Sequence, residues 1–155
     1  MGELELTPRL RQAAQWVPQG VRLADIGTDH GHLPIWLMLQ GRIQSAIAAD
    51  LRPGPLSRAR ENARRYGVTG IDFRLCDGLS AIRAEECDAV VIAGMGGENI
   101  AAILAAAPWT LCGTGPSSKR SSSCKTWWRA AAAPRTRPTG PGRRSSATSS
   151  RNFSL

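Results

Sequence analysis

Four short apolar runs, Val21 to Ile26, Ile43 to Ala49, Ile71 to Leu75 and Ala89 to Ala93, lie one after another with helix or turn patterns between them. Each run is followed within two residues by an acid or a glycine. Alternation of this kind predicts an α/β fold, a parallel sheet with helices on both faces. In such a sheet a ligand binds in the crevice beyond the carboxyl ends of the strands, so the polar residues at those ends are the first candidates for function.

The intervening segments carry helix punctuation. Thr7 is placed as an N-cap with Pro8 at the first helical position, and Leu10, Ala13, Ala14 and Val17 share a face until Pro18 and Gly20 stop the pattern. Pro34 suits a helix start, Ile35 to Leu39 is apolar enough to be buried on most sides, and Gly41 ends it. After Pro53-Gly54-Pro55, Leu56, Ala59, Ala63 and Tyr66 fall on one face while Arg58, Glu61 and Arg65 point away, and Gly67 closes the helix. A short helical turn is expected before the fourth strand. A last helix carries Ile100, Ile103, Leu104 and Ala107, with Glu98 near its positive N-terminus.

Charge divides the chain in two. Residues 1–110 hold 11 Arg, no Lys and 12 acids, whereas residues 111–155 hold 7 Arg, 2 Lys and no acid. The net charge of +8 therefore belongs to the tail alone. Those 45 residues include 10 Ser but no Val, Ile, Met, Tyr or His, too little apolar material for a core. Two domains of description follow: a partial ligand-binding domain over 1–110, and a basic low-complexity tail over 111–155 expected to be disordered. The tail reads either as an RNA-binding arm, with Trp127 and Trp128 stacking on bases, or as the product of a reading-frame shift after Pro108-Trp109-Thr110.

Cys76, Cys87, Cys112 and Cys124 show no Cys-x-x-Cys pairing and no His at ligand spacing, so neither a zinc site nor a disulfide framework is expected. No signal peptide is evident and the apolar runs are far shorter than a membrane span, which points to the cytoplasm and no membrane partner.

The richest stretch is Asp25-Ile-Gly-Thr-Asp-His-Gly-His-Leu-Pro34. Gly27 and Gly31 permit a tight turn and close approach of a ligand, and Asp25 and Asp29 supply acceptors. The spacing is Gly-x-x-x-Gly, without the Gly-x-Gly-x-x-Gly of dinucleotide binders, which favours S-adenosylmethionine (SAM) over NAD. Asp50, at the end of the second run, is placed to take both hydroxyls of a ribose. Asp77, with Gly78, is placed to meet an adenine edge. Any one of these acids could equally be a turn former; their recurrence at three successive strand ends carries the reading. His30 and His32 have no third ligand in view and read as turn histidines rather than a metal site. Met95 could pack on a cofactor or simply fill a gap, and Arg58, Arg60, Arg64 and Arg65 could touch phosphates or form a solvated face.

Ala24 to Pro34, together with Val91-Ile-Ala-Gly-Met-Gly-Gly97, resembles the bacterial tRNA (adenine-22-N1)-methyltransferase family, called TrmK, over about Leu6 to Thr110. The resemblance implies a Rossmann-like class I SAM-dependent methyltransferase fold, here its N-terminal half only, followed in the family by three further strands and a helical domain. It implies SAM as cofactor and tRNA as partner. It places Asp25, Gly27, Thr28, Asp29, His30, Gly31, Asp50, Leu51, Asp77, Gly78, Gly94, Met95 and Gly96 around the SAM pocket. Arg9, in a Leu-x-x-Arg-Leu context, is implied to contact cofactor or RNA. Adenine N1 carries an in-plane lone pair, so methyl transfer to it needs positioning more than a base. Asp29 is the expected catalytic residue, as orienter and stabiliser of the developing positive charge. Two other classes remain open: a catalytically silent SAM- or RNA-binding fragment, and an NAD(P)-dependent Rossmann oxidoreductase. A sheet ending at the fourth strand is expected to leave that strand with one unpaired edge.

Overall fold

The computed structural model describes residues 4–111 and the backbone of residues 127–128. Its elements follow in the order α1 (Pro8–Trp16), β1 (Val21–Ile26), α2 (His32–Leu39), β2 (Ile43–Asp50), α3 (Pro53–Arg65), β3 (Ile71–Leu75), a 3₁₀ turn (Ala84–Glu86), β4 (Ala89–Ile92), α4 (Gly97–Ala106), a second 3₁₀ turn (Pro108–Leu111) and β5 (Trp127–Trp128). All strands run parallel in the order β3-β2-β1-β4-β5. The chain builds outward from β1 in one direction and then returns to place β4 on its other side. That reversal leaves a crevice between the carboxyl ends of β1 and β4, where loops from the two sides diverge.

Local chemistry accounts for most boundaries. The Thr7 hydroxyl accepts from the Leu10 N–H at 3.4 Å, and Pro8 opens α1 without wasting a donor. Helix α2 starts at His32, two residues ahead of the expected Pro34, because a proline in the first turn has no intrahelical N–H to lose. Pro53, Gly54 and Pro55 likewise form the first turn of α3 instead of a loop before it.

Helices cover both faces of the sheet. On one, Leu23, Ile43, Ala46 and Ala89 pack with Leu6, Ala14 and Val17 from the α1 region and Leu33 and Leu37 of α2. On the other, Ala24, Ile26, Ile47, Ala49, Val90 and Ile92 pack with Leu79, Ile82 and Ile100 of α4. The strict alternation along β1, Leu23 one way and Ala24 and Ile26 the other, is the period-2 signature of a strand buried on both sides. Ile35 and Ala63 join α2 to α3.

The expectation of an unpaired edge on β4 is corrected: Ala89 and Val90 pair in parallel with Trp127 and Trp128. Pairing satisfies part of a row of backbone donors and acceptors that an edge strand would otherwise present. The remainder of the basic segment, on which the disordered-arm and frame-shift readings fall, lies outside the described residues. Among the described residues no helix is long and apolar enough to cross a membrane.

Candidate functional site

A cleft of about 550 Å³ opens at the crevice, lined by Arg9, Ile26, Gly27, Asp29, Asp50, Leu51, Arg52, Cys76, Asp77, Ala93, Gly94, Met95, Asn99, Ala102 and Ile103. Its size falls within the range of small-molecule sites. Every strand from β1 to β4 contributes its carboxyl end, as the order of the sheet requires.

Asp50 closes β2 and is 6% exposed. Its Oδ2 accepts the Asp29 backbone N–H at 3.2 Å and its Oδ1 accepts that of Arg52 at 2.9 Å. Two backbone donors fix the carboxylate plane, and each oxygen keeps a lone pair for a hydroxyl donor in the cleft. Next to it Leu51 is 64% exposed, an apolar surface presented to the cleft.

The β1–α2 turn forms the floor. Gly27 has φ 71°, a conformation that favours glycine, and a Cβ there would displace the Met95 methyl group of the β4 loop. Asp29, at φ 52°, is the one non-glycine residue with positive φ among the described residues. Its carboxylate is exposed and its Oδ2 lies 2.9 Å from His30 Nδ1. His30 Nε2 in turn lies 3.3 Å from Arg58 Nη1, and the His30 carbonyl accepts from Asn62 Nδ2 at 3.0 Å.

Asp25 and Thr28 sit behind this floor. Asp25 is 4% exposed at the end of β1, and burial pushes its carboxyl up to about 6, with the Thr28 hydroxyl opposing and the Asp50 charge adding to the rise. The Thr28 Oγ1 is itself buried beside this carboxyl and, among the described residues, makes no hydrogen bond of full geometry, so it acts on Asp25 as a nearby dipole.

Arg9 reaches the cleft from the first turn of α1. Its guanidinium lies so close to Gly94, at φ 83°, that a Cβ on Gly94 would stand 3.2 Å from Nη2. On the other rim, Asp77 and Gly78 line a second cavity of about 350 Å³ that shares Ala102 and Ile103 with the first.

Of the residues singled out in the sequence, the cleft brings together Arg9, Gly27, Asp29, Asp50, Leu51, Asp77, Gly94 and Met95. Gly78 lines the neighbouring cavity. Asp25, Thr28, His30, Gly31 and Gly96 lie outside the lining; Gly31 faces Ala59 of α3. Arg52, Cys76 and Asn99 line the cleft and were not singled out, although each stands next to a strand end or in the first turn of α4, which is the signal that would have found them. Cys76 is partly buried, and burial raises its thiol pKa. The arginines of α3 have separate partners: Arg60 donates to the Phe73 carbonyl at 3.0 Å and covers its ring, and Arg65 lies over Tyr66.

Comparison with known proteins gives the family and the fold. The family model described as "Methyltransferase domain" matches residues 6–115. The chain is 41% identical over 114 residues to the tRNA (adenine(22)-N(1))-methyltransferase of Bacillus subtilis (strain 168), a match covering 73% of this chain and 48% of that protein. Among solved structures it resembles Bacillus subtilis TrmK, a tRNA methyltransferase, with TM-score 0.66 and 41% identity over 68% of this chain and 46% of that one. It also resembles M. capricolum TrmK in complex with the cofactor product S-adenosyl-homocysteine, with TM-score 0.61 and 38% identity over 64% of this chain and 46% of that one. The chain thus spans about half the length of the relatives it matches.

Proposed function

We propose, from the premise that this chain belongs to the methyltransferase-domain family, that its cleft binds SAM and that the activity it serves is methylation of N1 of an adenine in tRNA, in the cytoplasm. The observation that carries the reading is the carboxylate of Asp50, buried, fixed by two backbone donors and set beside the exposed Leu51 at the sheet's switch point. That arrangement suits a nucleoside: hydroxyls of a ribose on Asp50 and the face of a base on Leu51. Asp77 offers an acceptor for an exocyclic amine. The relatives whose names specify tRNA adenine methylation supply the substrate class.

SAM, when bound, supplies a methyl group on a cationic sulfur. The residues of this chain bind, orient and stabilise. Gly27 and Gly94 let backbone approach the cleft without a Cβ in the way, and the Arg9 guanidinium offers a partner for a carboxylate or a phosphate. An adenine attacking through N1 needs no base to free its lone pair, and it becomes cationic as the bond forms. The exposed Asp29 carboxylate at the cleft floor stabilises that developing charge, most strongly once the bound substrate excludes water.

Isothermal calorimetry with SAM and S-adenosyl-homocysteine, with NADH as control, tests the proposal on the full chain and on a chain ending at Thr110. Binding of the adenosyl ligands without NADH supports it, and equal affinity in the two chains assigns the site to residues 1–110. Binding of NADH alone would transfer the cleft to the oxidoreductase class. Salt dependence separates cofactor recognition, which changes little, from nucleic-acid contacts, which weaken steeply as ionic strength rises.

A further inference from the structure

The β1–α2 turn holds a carboxylate in an unusual place. Asp29 takes φ 52°, a conformation rare outside glycine, while its own N–H serves Asp50 at 3.2 Å. The turn therefore links two acids of the cleft through the Asp29 N–H. The side chain of Asp29 has a partner of its own. Its Oδ2 meets His30 Nδ1 at 2.9 Å, and His30 Nε2 meets the Arg58 guanidinium at 3.3 Å.

The chemistry of this chain has one consistent proton arrangement. A guanidinium only donates, so a hydrogen bond from Arg58 requires His30 Nε2 to be the acceptor. The imidazole is then neutral with its proton on Nδ1, and that N–H donates to the Asp29 carboxylate. Asn62 holds the His30 backbone through the carbonyl, and the ring stacks on His32 with centroids 5.6 Å apart. Helix α3 thereby reaches across to the cofactor turn through one ring.

We propose that His30, oriented by Arg58, is a positioning residue that holds the Asp29 carboxylate and the positive-φ turn in the shape the cleft needs. The inference rests on the cofactor reading given above. His30 does not line the cleft, so its effect on a ligand passes through Asp29 and Asp50.

The test has two readouts. Nitrogen-15 NMR of histidine-labelled full chain reports the protonation pattern of His30: the proton is expected on Nδ1 with Nε2 bare in the wild type, and Arg58→Ala, which removes the donor to Nε2, is expected to raise the fraction protonated at Nε2, the nitrogen that carries the proton in most neutral free histidine. Arg58 is exposed, so that variant should keep the fold. Calorimetry with S-adenosyl-homocysteine is expected to show a several-fold weaker affinity for Arg58→Ala and His30→Gln, and near-normal affinity for His30→Asn. The asparagine amide replaces Nδ1 as donor, whereas glutamine places its amide where Nε2 lies. A wild-type proton on Nε2, or equal affinity in His30→Asn and His30→Gln, overturns the proposal. If the wild type binds no S-adenosyl-homocysteine, the cofactor reading fails, and the tautomer alone decides whether the relay exists.

Discussion

The two ends of β1 handle charge in opposite ways. At its start, Arg22 is saturated: Nε and Nη2 reach both oxygens of Asp88 at 3.0 and 2.8 Å, Nη1 donates to the Glu85 carbonyl at 2.6 Å, and the backbone N–H of Arg22 donates to the same carboxylate at 3.0 Å. The Asp88 carboxyl is correspondingly held below its usual range, chiefly by its hydrogen bond to Arg22. A few residues on, Asp25 is buried with no cation beside it among the described residues, and Asp29 carries positive φ. One end ties β1 to β4 and is finished by the fold; the other is left with unspent hydrogen-bonding capacity. The candidate cleft opens at the second of these ends, beside the positive-φ turn.

The contrast breaks most completely at Gly27. Replacing it by Val puts a β-branched residue at φ 71° and drives Met95 aside, so binding of S-adenosyl-homocysteine should fall below detection by calorimetry. Asp50→Ala comes next. It strips the cleft of its oriented acceptor and orphans the N–H groups of Asp29 and Arg52, so an affinity loss of roughly 100-fold, equivalent to about 2.7 kcal/mol, is expected. Unchanged affinity in both variants would sink the site assignment.

Asp25 sharpens the comparison through stability instead of binding. Its pKa is about 6 in the folded protein against 3.8 ordinarily, so between those values the folded state binds more protons than the unfolded one. Stability attributable to Asp25 therefore falls as pH rises through that window and levels off above it, by up to roughly 3 kcal/mol. Asp25→Asn should flatten this segment of the pH–stability curve, measured by urea unfolding, and stabilise the ligand-free chain at pH 7.5. No difference from wild type between pH 4 and pH 8 would show that Asp25 carries no such burden.

At the opposite end the expected effect is smallest and its pH dependence has the other sign. Asp88 has a depressed pKa, so its contribution is present at neutral pH and is lost as pH falls through the folded value. Arg22→Ala should lower Tm slightly at neutral pH, less so in acid, and leave the affinity for S-adenosyl-homocysteine unchanged. A fall in ligand affinity comparable to that of Asp50→Ala would erase the distinction between the two ends.

Much of this was legible in the sequence, and for local reasons. Thr7-Pro8 marked a helix start, β1 and β3 fell where their apolar runs put them, and the acids and glycines at strand ends pointed to the edge where the cleft opens. What was missed required contacts distant in sequence. The short strand at Trp127 lies in a segment without apolar periodicity, and only the partner edge of β4 reveals it. Arg52 and Asn99 look like ordinary loop and helix residues until their elements converge on the cleft. His30 read as a turn histidine, because nothing in its neighbourhood along the chain points to Arg58, 28 residues away.

By itself, then, the sequence determined the succession of strands and helices and the presence of acids and glycines at the strand ends. Those depend on periodicity, capping and turn chemistry, which act over a few residues. The tertiary structure decided that β4 returns to the far side of β1, that Asp50 faces the cleft while Asp25 is buried behind it, and that Arg9 and Arg58 approach from separate helices. Those outcomes come from how crossovers pack helices onto a twisted sheet, a property of the assembled core that no single segment carries.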